Sequence, residues 1–414
     1  MSLAPPPPVA WRPGGELGRT WERHVSAAQA WLLQAQAEGT VELLDANEVT
    51  WHAHLSRRFS YLYYTSAAHP TPTAEKSGLV LSSPAAGPPP TAPAVVFSPP
   101  PRVDEARPPE SLRLGRELGR GAFASVHSAR VGEHQFALKR SLRARPSWNE
   151  SLHRDEHFLR ALAGHEGVAS LLSTYWDASG LRCLLMPMAK GDLHRERPPD
   201  LQVFEGVVRQ LARAFRHIHG RGVVHLDLKP QNVLVFQPHW VVRVADFGSS
   251  LRRGHGLGGE KLYECTRPYR APELLTAGPK TARPSMDLWA LGVLSWDIYP
   301  GERVHPLAGG QNSAEQAVLI VALVGCEARA AEAWGLQGVP ELAPLPRDAL
   351  GSELRWATDT LLQPVPQERT LAPLLRRRLE GPAPGGGPAK VEKTHQAREA
   401  VDVVEEGGDC GAVA

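Results

Sequence analysis

Apolar residues recur at three- and four-residue spacing from about Glu16 to Leu44. Trp21, Val25, Ala28, Trp31, Leu32 and Ala35 fall on one stripe, which predicts an amphipathic helix. Gly39-Thr40 is placed to end it. A second apolar stretch runs from Trp51 through Leu55 to Phe59, Tyr61, Leu62, Tyr63 and Tyr64, and its aromatic content favours burial against another surface. Residues 1–67 are therefore expected to be an N-terminal extension with a Pro-rich, disordered start. Three forms are open to it: a small helical module, an appendage docked on the main domain, or a solvated amphipathic helix. From 68 to about 110 the periodicity disappears. Pro70, Pro72, Pro84, Pro88-Pro89-Pro90, Pro93 and Pro99-Pro100-Pro101 support neither helix nor central strand. A spacer is expected there. From Leu112 short β-like runs with glycines continue to about Lys190, and longer helical patterns fill about 200 to 378. Residues 379–414 open with a Gly- and Pro-rich run and end in a charged tail, expected to be disordered.

Composition narrows the class. A chain of 414 residues with 42% hydrophobic content can bury at least one large core and has the length of two or three domain-sized units. Lys+Arg 46 against Asp+Glu 44 leaves a net charge of +2, so no global basic field invites nucleic acid. Cys183, Cys265, Cys326 and Cys410 form no C-x-x-C pair. Free thiols in a reducing compartment are expected rather than disulfides or zinc. No run of about 18 apolar residues predicts a membrane span. Met1 to Ala10 has no basic n-region of a secretory signal, and Cys410 stands one position too early for a prenylation box. The expectation is an intracellular protein, in the cytoplasm and/or nucleus.

The chemistry concentrates in His225-Leu226-Asp227-Leu228-Lys229-Pro230-Gln231-Asn232-Val233-Leu234. Asp227 could accept a proton from a hydroxyl, Lys229 could neutralise a transferring phosphoryl group and Asn232 could ligate a metal ion. This stretch resembles the catalytic loop H-R-D-L-x-x-x-N of the eukaryotic-type protein kinases, with Leu226 where that family usually has Arg. Upstream, Leu118-Gly119-Arg120-Gly121-Ala122-Phe123-Ala124-Ser125-Val126 resembles the family's Gly-rich hairpin, with Ala124 in place of the third Gly. Phe136-Ala137-Leu138-Lys139 resembles the strand that carries the phosphate-pairing lysine, and alternation puts Ala137 and Lys139 on one face. That lysine needs an acid on the next helix. Aligning Phe158, Leu159, Leu162 and Gly164-His165 with the family's pattern points to Asp155, one methylene shorter than the usual Glu, and Glu156 is the alternative.

Further motifs follow in the family's order. Leu184 to Leu193 is similar to the strand and hinge between the two lobes. The resemblance makes Met186 the gatekeeper, puts backbone near Met188 and Ala189 against adenine, and places Asp192 near ribose. Pro187 there is similar to the hinge of some herpesvirus kinases, which would place the protein in a host cell. Asp246-Phe247-Gly248 follows Asn232 by about fourteen residues and resembles the metal-binding D-F-G. Cys265 to Glu273 resembles the segment ending in A-P-E, with Thr266 set to contact Asp227 and Lys229. Thr266-Arg267-Pro268-Tyr269-Arg270 is also similar to the segment of proline-directed kinases. Asp287 is expected to brace the catalytic loop, and Arg369 to pair with Glu273.

The resemblance implies an α+β, bilobal protein kinase fold over 111–378. A small β-rich lobe would span 111–186 and a larger helical lobe 190–378. It implies a serine/threonine kinase with Lys139, Asp227 and Lys229 as catalytic residues. The ATP site would comprise Leu118, Gly119, Gly121, Val126, Ala137, Lys139, Asp155, Met188 and Asp192. Asn232 and Asp246 would hold Mg2+ or Mn2+. ATP and protein substrates are the implied partners, with docking of others through residues 11–66 or the Pro-rich linker. A pseudokinase or scaffold that binds nucleotide without efficient transfer is the alternative, as is an adaptor organised by residues 11–66. Leu226, which needs no phosphate to neutralise it, predicts activity without phosphorylation at Ser249, Ser250, Tyr263 or Thr266.

Overall fold

Strand alternation builds the first lobe. The structure, a computed structural model, describes residues 15–37 and 111–376 apart from 122, 144–145, 258–264, 277–279, 301–305, 311, 335, 337–338, 340 and 347–351. Strands β1 (Arg113–Arg120), β2 (Ala124–Val131), β3 (His134–Ser141), β4 (Ser173–Trp176) and β5 (Arg182–Pro187) form one antiparallel sheet in the order β1-β2-β3-β5-β4. Phe136 and Leu138 join Ala129, Val131, Tyr175, Cys183 and Leu185 in a core on one face. Ala137 and Lys139 take the other face, paired with Met186 and Leu184, where α2 (Pro146–Ala161) lies.

Helices dominate the second lobe. α3 (Leu201–Gly220) buries Phe204, Val207, Val208, Leu211, Phe215 and Ile218 along one stripe, and Asp200 caps it by accepting from Val203 N at 2.8 Å. Beside it β6 (Gly191–Asp192), β8 (Val233–Phe236) and β9 (Val241–Val244) form a three-stranded sheet, order β6-β8-β9. β7 (Val223–Val224) pairs with β10 (Leu251–Arg252), and β11 (Gly256–Leu257) with β12 (Lys280–Thr281). α4 (Pro284–Asp297) is buried from Met286 to Trp296. It is followed by α5 (Ser313–Val324), α6 (Ala328–Trp334), α7 (Ser352–Thr360) and α8 (Ala372–Arg376). One apolar core ties the lobes together, running from Leu152, Phe158 and Met186 into Phe204, Val233 and Leu291.

The amphipathic stretch near the N-terminus is α1 (Gly15–Ala37). Its stripe of Trp21, Val25, Ala28, Trp31, Leu32 and Ala35 is buried in one cluster with α5. The helix is thus a docked element rather than a solvated one. The second apolar stretch (Trp51 to Tyr64), the linker at 68–110, the tail at 379–414, Tyr263 and Cys410 lie outside the described residues. Cys183, Cys265 and Cys326 are buried free thiols. Among the described residues no helix is long and apolar enough to cross a membrane.

Arg369 and Glu273 meet as the sequence suggests. Nη1 and Nη2 of Arg369 donate to the two Glu273 oxygens at 2.8 and 2.9 Å. Arg369 also donates to the Gln363 and Ser285 carbonyls and lies 5.0 Å over the Trp289 ring. Both side chains are buried, so each charge depends on the other. Replacing Arg369 with Leu strands Glu273 and is expected to cost about 3–5 kcal/mol, whereas adding Glu273→Met recovers much of the loss. Urea unfolding of the single and double variants measures both.

Candidate active site

The cleft between the lobes is built around Lys139. Its position on β3 aims the ammonium away from the outer core. Nζ donates to Asp155 Oδ2 at 2.6 Å and to Asp246 Oδ1 at 2.8 Å. Asp155, on α2, is 1% exposed, and its other oxygen accepts Phe247 N at 2.8 Å. Of the two acids open at this position, the structure brings Asp155 to the lysine. Glu156 turns to the sheet, accepting from Arg182 Nη2 at 2.6 Å, Arg160 Nε at 3.1 Å and Thr174 Oγ1 at 3.1 Å. The shorter acid reaches because α2 lies close on residues 246–248. A Cβ on Gly248 would stand 2.5 Å from Ser151 Oγ on α2 and would displace that hydroxyl.

These neighbours set the charges. Burial works against the Lys139 ammonium, but Asp155 and Asp246 outweigh it and raise its pKa. Burial likewise pushes the Asp246 carboxyl up. The Lys139 ammonium, its hydrogen bond and the more distant Lys229 and His225 outweigh that and hold the pKa down to about 2. Burial, with Asp246 adding to it, pushes the fully enclosed Asp155 carboxyl up against the pull of Lys139. At neutral pH the lysine is a cation and Asp246 an anion with its side chain 46% exposed.

The catalytic-loop stretch hangs from Asp287 on α4. Asp287 Oδ2 accepts His225 N and Oδ1 accepts Leu226 N, both at 2.8 Å. His219 Nε2 donates to Oδ2 at 2.8 Å. His225 Nδ1 accepts Asp227 N at 3.2 Å while Nε2 donates to the Ala245 carbonyl at 3.1 Å, which fixes the ring between the two chain segments of the site. Leu226 has φ 68° and its side chain enters the cluster that holds Leu251, Leu257 and Cys265.

Asp227 gathers donors from three directions. Thr266 Oγ1 donates to its Oδ1 at 2.7 Å and Thr266 N at 3.1 Å. Lys229 Nζ donates to Oδ2 at 2.7 Å and to Thr266 Oγ1 at 2.9 Å. Asn232 Nδ2 donates to the Asp227 carbonyl at 2.8 Å and to Oδ2 at 3.1 Å, which turns its amide oxygen the other way. Asn232 and Asp246 border the paired ends of β8 and β9, where Val233 faces Val244 and Ala245 N donates to the Asn232 carbonyl at 2.9 Å. Among the described residues no three His, Cys, Asp or Glu side chains gather into a metal cage. One carboxylate and one amide oxygen remain as candidate hard ligands, a set that suits a divalent cation sharing its other positions with water and phosphate.

At the other side of the cleft Leu118, Val126, Ala137 and Met188 are half-buried and Met186 is buried behind them. Gly119 has open space where a Cβ would stand, and Gly121 meets only the Ala124 carbonyl at 3.7 Å. Asp192 Oδ1 accepts His194 N at 3.0 Å and Arg195 N at 3.1 Å, which fixes its turn through one of its two oxygens. Two contacts had no sequence signal. Arg195 Nη1 donates across the cleft to the Leu118 carbonyl at 3.1 Å, and His219 joins Asp287. Both join residues far apart in the chain through side chains that belong to no motif.

The Protein kinase domain family model matches residues 112–371. The phosphorylase b kinase gamma catalytic chain, liver/testis isoform, of Homo sapiens is 32% identical over 204 residues, 44% of this chain and 49% of that one. A probable myosin light chain kinase of Dictyostelium discoideum is 32% identical over 197 residues, 45% of this chain and 61% of its own. Serine/threonine-protein kinase Aurora-2 of Arabidopsis thaliana is 29% identical over 208 residues, 48% of this chain and 71% of its own. The chain thus spans between 49% and 61% of the first two relatives. A solved structure of the CAK complex from Chaetomium thermophilum bound to ATP-gamma-S shares the fold, with TM-score 0.52 and 22% identity over 65% of this chain and 90% of the other.

The close seat of α2 makes Asp155 a site of fixed length. Asp155→Glu adds a methylene where nothing is exposed and is expected to destabilise the protein by about 1–3 kcal/mol. It is not expected to restore a better pair. Urea unfolding reads the loss, and the Lys139 pair is read from whether nucleotide affinity falls with it.

Proposed function

The chain belongs to the protein kinase domain family, and on that premise we propose that it is an ATP-dependent serine/threonine protein kinase. The observation that carries this is the cluster of Asp227, Lys229 and Thr266 in the same cleft as Lys139, Asp155 and Asp246. Lys139 is the anchor for the α- and β-phosphates, kept charged by Asp155. No atom stands within 4 Å of where a Gly119 Cβ would be. Its missing side chain leaves room for phosphate oxygens to approach the hairpin backbone. Leu118, Val126, Ala137 and the chain near Met188 enclose the adenine, and Asp192 stands at the ribose side.

Asn232 and Asp246 are the residues that would hold Mg2+ or Mn2+, and the ion would neutralise phosphate charge during transfer. The substrate serine or threonine oxygen forms the new bond to the γ-phosphorus as the bond to the ADP oxygen breaks. Its proton passes to an Asp227 carboxylate oxygen. Lys229 stabilises the charge on the moving phosphoryl group, and Thr266 fixes Asp227 and Lys229 relative to each other. Lys229 two residues after Asp227 favours serine/threonine over tyrosine. The three groups whose loss would favour a pseudokinase, Lys139, Asp227 and Asp246, are all present.

The apolar seat of Leu226 supports activity without phosphorylation of the segment from 246 to 273. Ser250 is fully buried and donates to the His225 carbonyl at 3.2 Å, and Thr266 is already engaged with Asp227. Neither hydroxyl is placed to act as a switch.

Two measurements test this function. Purified protein with Mg·ATP and a serine- and threonine-containing peptide array should show transfer that Asp227→Asn lowers by about 10²–10⁴-fold in kcat. Equal background from both proteins would sink the enzyme. Phosphatase treatment should leave the wild-type rate within about twofold, because no phosphate–cation pair is needed. Its abolition would overturn the regulatory part alone.

A further inference from the structure

The helix α1 lies outside the residues that match the family model, which begin at 112, yet it is built into the second lobe. Its buried stripe is made from two tryptophans and smaller apolar residues. Ala28 and Ala35 are 0% exposed, so the helix backbone approaches its neighbour closely. That neighbour is α5, whose residues from Val318 to Val324 are all buried. A helix that is apolar on every side needs cover on every side. One side of α5 faces the lobe, and α1 packs against it in the same cluster.

The inner side of α5 touches Arg267–Tyr269. This short turn follows Thr266, the residue that holds Asp227 and Lys229. Its Tyr269 hydroxyl donates to Asp297 Oδ2 on α4 at 2.8 Å. The turn is therefore clamped between α4 and α5, and α5 is backed by α1. Cys265, Ala271 and Leu274 on either side of the turn belong to the same apolar cluster as Trp21, Val25 and Trp31.

We infer that α1 is a positioning element for the protein-substrate side of the active site. It backs α5 and so sets the height of residues 265–276 relative to Asp227. The catalytic unit of this protein is then the family domain together with a helix from far upstream. This inference rests on the kinase reading for its functional consequence, though its physical content does not. It separates the two substrates: the ATP contacts of this reading come from β1 to β5 and the hinge, whose buried residues belong to other apolar clusters than the one that holds α1, whereas the protein substrate would meet the turn that α1 supports.

The test uses the full chain. Ala28→Glu places a charge in the α1–α5 contact and Trp31→Ala removes a large buried ring from the α1 stripe without adding charge. Each is expected to raise KM for a protein or peptide substrate about fivefold or more while KM for ATP stays within about twofold. Amide hydrogen exchange should rise in 265–276 and 313–324 and stay unchanged in α3. A synthetic peptide of residues 15–37 added to Ala28→Glu should restore both readouts, and the same peptide carrying Ala28→Glu should not. Unchanged substrate KM and unchanged exchange in both variants overturn the inference. So does an equal rise of exchange in α3, which would mean that α1 only stabilises the lobe as a whole. Should Ala28→Glu fail to fold, Trp31→Ala is read in the same way. Should the wild type transfer no phosphate, the kinase reading fails and the exchange pattern alone decides the role of α1.

Discussion

One ammonium holds the two lobes in register. Lys139 comes from the sheet, Asp155 from α2 and Asp246 from the strand end in the second lobe, and the three meet within 2.6 and 2.8 Å. The two carboxylates are not equivalent. Asp155 is fully enclosed and also accepts Phe247 N, so it cannot leave without stranding a charge and a backbone donor. Asp246 is half exposed and strongly acidic, its carboxyl kept low chiefly by Lys139 against the opposing effect of burial. The exchangeable contact is therefore Lys139–Asp246. On the kinase reading, an incoming polyphosphate would take the free side of the lysine, Asp246 would be available to hold a cation, and the Lys139–Asp155 pair would persist.

The rest of the site is suspended from buried anchors rather than from loops. Asp287, 1% exposed, receives two consecutive backbone N–H groups and an imidazole N–H. That grip offsets the left-handed backbone at Leu226, which for a residue with a Cβ costs about 1–2 kcal/mol. The Leu226 side chain adds apolar burial at a place where a cation would need a counter-charge. An apolar joint between the catalytic loop and the segment after Asp246 is formed by folding itself. A salt-bridged joint waits for its anion.

Much of this was legible because short motifs describe short-range geometry. Period-two alternation was enough to put Ala137 and Lys139 on one face, and apolar alignment around Phe158 and Leu162 favoured Asp155 over its neighbour. Arg369 with Glu273 and Asp287 with the catalytic loop followed from the family resemblance, which carries long-range pairing that periodicity lacks. What stayed hidden depends on partners chosen by the tertiary fold. Glu156 could not be assigned until Arg182 and Thr174 arrived from β5 and β4. The two N–H groups of its own turn that Asp192 accepts also come from the local fold rather than from a motif. Arg195 reaching the Leu118 carbonyl joins two lobes through a side chain that no motif contains.

The N-terminal helix shows the same limit from the other direction. Its stripe was plain in the sequence, and its partner was not, because a stripe specifies that something apolar lies opposite and nothing more. The complementary oddity was α5, a run from Val318 to Val324 with no polar side. Taken alone, each helix has apolar surface that water penalises at roughly 25 cal/mol per Å². Brought together, the single-striped helix and the all-round apolar one cover each other in one cluster. Two local anomalies that cancel when paired are evidence of co-dependence. The energetic boundary of this domain accordingly runs through α1, well upstream of the boundary that sequence similarity draws at residue 112.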